Sequence, residues 1–314
     1  MAYTLDNRLV VGVASSALFD LSESDRVFRS QGEDAYRQHQ QERLDQPLQP
    51  GIALSFVRRL LNLNSLSDDQ DRSPLVEVVL LSRNDPDTGL RVLRSIQHHG
   101  LSITRAIFRG GGSPYEFIPA LNISLFLSGH SKDVQQAIAA GYPAGEVLPS
   151  EVVDDENDPT LRIAFDFDGV LADDESEKVF HDSQSVAVFN EHETSKVLSP
   201  HNPGPLKNFL VHLSRIQKID QQRVARSPEE PSRLRISIVT ARGAPSHERA
   251  INTLKSWGVM ANEAYFMGGV EKARVLQVLR PHIFFDDQSA HLEAAASVAP
   301  SVHIPFGIKN RRLA

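Results

Sequence analysis

Asp166 and Asp168 lie in the stretch RIAFDFDGVLADDESEKVF (162–180), alternating with phenylalanine and followed by Gly169. Residues two apart in a strand face the same side, so both carboxylates project together where the apolar run 161–165 ends. Charge in such a place is costly to desolvate unless something pairs with it. Three other runs end in groups of a matching kind. LRISIVT closes on Thr240, EAYFMGG leads to Lys272 at a helix start, and HIFFDD closes on Asp286 and Asp287. If these strands are neighbours in one parallel sheet, the groups converge beyond its carboxyl edge, where open sheets bind ligands. Four carboxylates, one ammonium and one hydroxyl would then share a pocket. Acids at that density call for a hard cation, and an oxygen-only donor set suits Mg²⁺.

The elements needed to position these groups are legible around them. Strand-like runs at 161–165, 234–240, 263–269, 282–287 and 301–305 alternate with helical spacing at 247–258, 271–280 and 289–298. Short apolar strands separated by helices of this length indicate an α/β fold with a doubly wound parallel sheet. The first half of the chain reads as a faint copy of the second. Residues 82–130 lie without a gap over 240–288, matching Gly100 to Gly258, Phe108 to Phe266, Gly110 and Gly111 to Gly268 and Gly269, and Phe126 to Phe284. Upstream, SALFD (16–20) meets GVLAD (169–173), DRVF (25–28) meets EKVF (177–180), and PGIALSFVRRL (50–60) meets PGPLKNFLVHL (203–213). Order and spacing kept over this length favour duplication. The copies differ at the chemistry: Val13 and Ser15 face Asp166 and Asp168, Pro114 faces Lys272, and Ser128 and Gly129 face Asp286 and Asp287. Only a hydroxyl survives, Ser82 opposite Thr240. Residues 1–150 are therefore expected to form a degenerate half and 151–314 a catalytic half, joined through the acidic, proline-containing segment 149–160.

Composition narrows the function classes. The 314 residues are 40% hydrophobic, ample for a core, and the net charge of −7 argues against a nucleic-acid coat protein. With no cysteine there is neither disulfide nor thiolate chemistry. The run LVVGVASSALF (9–19) lacks a basic flank and is bordered by Asp6 and Asp20, so a buried strand is expected there rather than a signal peptide. No apolar run reaches membrane-spanning length, and the default reading is a soluble cytoplasmic protein.

The four segments DFDGVLAD, IVTAR, GGVEKARVL and IFFDDQ resemble, in order and strand placement, the four motifs of the haloacid dehalogenase superfamily of phosphotransferases. Residues 80–115 and 281–288 further resemble the cytosolic 5′-nucleotidase I family, over a span from about Leu9 to Pro305. That family often has glycine between the first two acids, where this chain has Phe167. The resemblance implies a haloacid-dehalogenase-like (Rossmann-like) domain with a cap inserted at about 174–235. It also implies Mg²⁺-dependent hydrolysis of nucleoside 5′-monophosphates through an aspartyl-phosphate. Asp166 is then the nucleophile and Asp168 the general acid and base. Thr240, Lys272 and Arg242 would meet the phosphate, and Asp166, the Asp168 backbone carbonyl, Asp286 and Asp287 would hold the metal.

Other readings stay open on sequence grounds. Arg242 serves equally as a surface salt bridge, and the acids 173–177 read as a solvated turn and helix start rather than ligands. Asp286 and Asp287 also suit a helix N-cap. Phe180, Phe189, His181 and His192 are candidates to stack on a base, and the glycines of RGGGSPY (109–115) read as a structural turn before a phosphate cradle. A sugar-phosphate phosphatase and a non-catalytic nucleotide-binding regulatory protein are the alternative functions. The expected partner is a small-molecule nucleotide, with no nucleic acid and no membrane, and the oligomeric state is not readable.

Overall fold

The computed structural model describes residues 4–67, 74–155, 157–259 and 261–310. The extreme termini of both expected halves, and Glu156 in the expected linker, lie outside the described residues. The chain divides between Tyr142 and Pro143 into two compact units.

The first unit runs β1 (Leu9–Val13), α1 (Ser15–Leu18), α2 (Ser22–Glu42), α3 (Ala53–Asn62), β2 (Val76–Ser82), α4 (Gly89–His98), β3 (Arg105–Phe108), β4 (Leu125–Ser128) and α5 (Ser131–Ala139). Its strands pair in the order β3-β2-β1-β4, all parallel. Every position of β1, β2 and β4 is buried. Such unbroken apolar runs are what a parallel sheet covered on both faces selects. The run 9–19 supplies the expected buried strand only over Leu9–Val13, and Ser15–Leu18 is a short helix not expected from the sequence. Helix α2 is broken at Gly32, whose φ of 83° and ψ of −174° are foreign to a helix and accessible to glycine.

The second unit runs β5 (Ala144–Val147), β6 (Leu161–Phe165), α6 (Glu175–Ser183), α7 (Val186–Ser195), α8 (Lys207–Arg226), β7 (Leu234–Thr240), α9 (His247–Ser256), β8 (Glu263–Phe266), α10 (Lys272–Leu279), β9 (Ile283–Asp286), α11 (Ser289–Ala295) and β10 (Ser301–His303). The strand order is β5-β10-β9-β6-β7-β8. The expectation of a wholly parallel sheet fails at one pairing: β5 runs antiparallel to β10, joining Val147 to Val302 and Glu146 to His303. No further βαβ crossover follows β10 among the described residues, and β5 satisfies the backbone groups on the side turned from β9.

Alternation along the strands sends side chains into two cores. Ala164, Val239 and Phe284 pack with Leu276 of α10 and with Leu292 and Ala295 of α11. On the other face Phe165 stacks on Phe285 at 5.1 Å and meets Phe209 of α8 edge-on at 6.0 Å. Helices therefore cover both faces of this sheet. Counted from β1 and from β6, both units have their strands in the order third, second, first, fourth. Each also closes an isolated antiparallel bridge beyond its first strand, Phe19 to Pro50 and Ala172 to Pro203.

Candidate active site

Strands β6, β7 and β9 are register neighbours, so their carboxyl ends present Asp166, Asp168, Thr240, Asp286 and Asp287 along one edge. All five are buried, as is Lys272 at the first turn of α10. Lys272 Nζ donates to Asp286 Oδ2 at 2.7 Å and lies 2.8 Å from Asp166 Oδ2. The other oxygens are held too. Asp166 Oδ1 accepts the Phe167 N–H at 2.7 Å, and Asp286 Oδ1 accepts the Gln288 N–H at 2.8 Å where α11 begins. The latter bond closes a turn ahead of α11, whose N-cap is Gln288 and has no side-chain cap, so the N-cap reading of Asp286 and Asp287 is corrected. Thr240 Oγ1 accepts the Arg242 N–H at 3.3 Å.

Charge is unevenly settled across this cluster. Burial lowers the Lys272 pKa but its two carboxylates more than reverse this, leaving the ammonium firmly charged. Burial pushes Asp166 up to about 6, opposed by Lys272 and reinforced by Asp286 and Asp168. Asp287 is pushed up to about 10 by burial and then by Glu177, Asp166 and Asp286. Both of its carboxylate oxygens are buried without a hydrogen-bond partner. Gly169, at φ 70°, makes that approach feasible, since a Cβ there would lie 2.6 Å from the Asp287 carboxyl. Orphaned carboxylate oxygens beside more acids than one lysine can balance form a donor set that fits a hard divalent cation. Ligand atoms of Asp166, Asp286 and His291 come within 4.8 Å of one another. His291, whose Nδ1 is 3.2 Å from Asp286 Oδ2, has no motif around it and was missed in the sequence.

Asp168 is held differently. Arg242 grips its carboxylate with two hydrogen bonds, from Nε at 2.7 Å and from Nη2 at 2.6 Å. The same guanidinium pairs with Glu193 of α7 and lies 5.2 Å and 5.4 Å from the ring centroids of Phe167 and Phe189. It is 4% exposed, so the surface salt-bridge reading of Arg242 is corrected to a buried ion pair. Glu193 also accepts from Arg249 at 2.9 Å and Ser176 at 2.7 Å, and its other oxygen lies 3.2 Å from His201 Nε2. Burial alone would raise the Glu193 pKa, yet His201 and Arg242 hold it far below the carboxylate range.

The acids at 173–177 are also not a solvated turn. Asp174 and Glu177 are buried, Glu175 pairs with Lys196 and Arg249, and Glu177 Oε1 accepts from Gln288 Nε2 at 2.9 Å. Burial, then Asp168 and Asp166, raise Glu177 to about 8. The helix start expected there is present as α6, with Asp174 at its N-cap, but solvation is not, because Lys196, Arg249 and Gln288 reach Glu175 and Glu177 from far along the chain.

A cavity of about 410 Å³ opens over Asp168, bordered by Glu177 and Arg242 below and by Phe180, Phe189 and Asn190 of α6 and α7 above. That volume suits a small ligand. Phe180 and Phe189 meet edge to face, 6.4 Å between centroids. The histidines proposed beside them stand elsewhere: His181 is exposed against Asp182, and His192 pairs with Glu175 and Glu193. Lys309 also borders the cavity and carries no sequence signal. In the first unit, Gly110 and Gly111 take φ of 54° and 91° and donate to Asn84 and Arg83 carbonyls, which makes RGGGSPY a turn.

Comparison with known proteins follows the same lines. A family model described as 5′-nucleotidase matches residues 1–311. The chain is 34% identical over 292 residues to cytosolic 5′-nucleotidase 1B of Homo sapiens, covering 92% of this chain and 47% of that protein. It thus spans about half the length of this curated relative. No solved structure matches. Among the described residues no helix is long and apolar enough to cross a membrane.

Proposed function

Because the chain belongs to the 5′-nucleotidase family, we propose that it hydrolyses nucleoside 5′-monophosphates to nucleoside and phosphate. The reaction belongs to the second unit, read as a haloacid-dehalogenase-type domain whose cap is narrowed from the expected 174–235 to α6 and α7, because α8 packs on the sheet through Phe209 and β7 begins at Leu234. The first unit is its degenerate copy, a reading supported by the shared strand order and the paired bridges. The observation that carries the proposal is the buried Asp166–Lys272–Asp286 cluster, with Asp287 unpartnered beside it and Asp168, two residues on from Asp166, lining a cavity that Phe180 and Phe189 also line.

Asp166, Asp286, Asp287 and the Asp168 carbonyl are the groups that would hold Mg²⁺. When bound, the ion supplies positive charge to the transferring phosphoryl group and the surrounding carboxylates. Asp166, steadied by the Phe167 N–H and by Lys272, attacks phosphorus; its oxygen bonds to phosphorus as the bond to O5′ breaks. Asp168 gives its proton to O5′. It then takes a proton from the water that attacks the same phosphorus, and the bond to Asp166 breaks. Thr240 and Lys272 hold non-bridging oxygens, and Arg242, expected from the sequence to meet the phosphate, instead fixes Asp168, its guanidinium being taken up by Asp168, Glu193, Ser246 and His201. Phe180 and Phe189 receive the base, which disfavours a bare sugar phosphate. The substrate is a small molecule and the setting cytoplasmic, in keeping with the relative's name.

Phosphate release from nucleoside monophosphates and sugar phosphates, with Mg²⁺ or EDTA, tests this reading. Turnover of nucleotides should require Mg²⁺ and fall by ~10²-fold or more in Asp166→Asn. Equal turnover of sugar phosphates would sink the nucleotide assignment, and wild-type inactivity would sink the hydrolytic one.

A further inference from the structure

The first unit keeps a cavity at the corresponding place. It measures about 430 Å³ and lies beyond the carboxyl ends of β1 and β2, bordered by Ser15, Leu81, Arg83 and Asn84. Its roof also corresponds. Phe28 and Tyr36 of α2 border the cavity and meet edge to face at 5.7 Å and 85°, as Phe180 and Phe189 do at 6.4 Å and 89°. Each aromatic pair straddles a break with positive φ, Gly32 in α2 and Gln184 between α6 and α7. Phe28 is 51% exposed, so its ring is not merely core filling.

Beneath this roof the catalytic charges are replaced, not simply lost. Where the second unit packs Asp166, Asp168 and Asp286, the first has Val13, Ser15 and Ser128. Ser15 and Ser82 share a hydroxyl contact at 3.3 Å. The acids that do border the cavity are largely claimed by arginines: Asp133 is held by two Arg83 nitrogens at 2.7 and 2.9 Å, and Asp85 and Glu33 by Arg37. Arg83 Nη1 has no partner among the described residues, and Asn84 Nδ2 is buried without one. These donors sit where the second unit has Ala241 and Arg242.

From this we infer that the first unit binds a nucleoside 5′-monophosphate without hydrolysing it and without a metal ion. The base lies against Phe28 and Tyr36, and the phosphate is received by Arg83, Asn84 and the Ser15 hydroxyl, which Ser82 steadies from behind. No nucleophile faces the phosphorus. The assignment of the ligand rests on the nucleotide reading of the second unit, whose aromatic roof it shares.

Calorimetric titration of adenosine 5′-monophosphate into the full chain in EDTA tests this, beside titration of adenosine. The wild type should take up about one nucleotide per chain. Phe28→Ala, on an exposed ring, and Arg83→Gln should each weaken binding by roughly tenfold or more, the former through lost base stacking. Phe189→Ala should leave it unchanged. Absence of saturable uptake, equal affinity for adenosine, or loss of uptake in Phe189→Ala with Phe28→Ala unaffected would each overturn the inference. Phosphate release with Mg²⁺ is read separately, and Phe28→Ala should retain it. A chain that releases no phosphate but loses EDTA binding on Phe28→Ala would refute the hydrolytic reading and uphold this one.

Discussion

Lys272 is the cation that bridges the buried acid pair at the strand tips. With both partners within 2.8 Å and all three groups buried, its removal leaves two carboxylates facing each other. Lys272→Met is therefore expected to lower unfolding free energy by ~3–5 kcal/mol, measured in urea at neutral pH. A divalent ion held by the same acids would add further positive charge to the cluster. Added Mg²⁺ should raise the thermal midpoint of the metal-free wild type, by an amount equivalent to ~2.7 kcal/mol when the ion is at 100 times its Kd. Asp287→Asn should remove most of that gain, and a midpoint equally responsive in that variant would place the ion elsewhere. Asp166, Asp168, Asp286 and Asp287 were legible in the sequence because a strand end is a short, local pattern. Glu177, His291 and Lys309 were not, because what brings them to the cavity is tertiary packing rather than spacing.

Among the elements, strands were read more sharply than helices. The runs 161–165 and 234–240 are β6 and β7 to the residue, since each is a short, mostly buried run that ends at a polar residue at the sheet edge, Asp166 just after β6 and Thr240 in β7. The helix expected at 289–298 stops at Ala295, and β10 is only three residues long. Helix α7 escaped notice because its inward side carries Glu193, wholly buried among cations, in place of a leucine. An ionic face leaves no apolar period to read. The same network makes α6 and α7 sensitive to acid. Burial would raise the Glu175 pKa, but hydrogen bonds from Lys196 and Arg249 bring it down from the model-peptide value near ~4.5 to about 2. A depressed folded-state pKa stabilises above the unfolded value, and the benefit is lost as pH falls through the folded one. Wild type should exceed Glu175→Gln by on the order of 1 kcal/mol above pH ~5, after screening by solvent. The gap should close on acidification toward pH ~2; a constant gap across that range would mean the carboxylate's charge is not what holds α6.

At the scale of the whole chain, the two units present the same strand order with opposite solutions at the strand tips. The second concentrates acids and must supply Lys272 to hold them, whereas the first fills the equivalent positions with Val13, Ser15 and Ser128, buried and uncharged. Charge of this kind comes as a set, because each member is costly alone. Val13 is 0% exposed, and a carboxylate there would meet no ammonium, since Pro114 stands where the other unit has Lys272. Val13→Asp is thus expected to destabilise the chain by ~3 kcal/mol or more in urea unfolding. If the strand tips correspond, the double variant carrying Pro114→Lys as well should recover at least ~1 kcal/mol relative to the sum of the single changes. Strict additivity would show that position 114 does not face position 13 as Lys272 faces Asp166, and would separate the two units at the point where their likeness matters most.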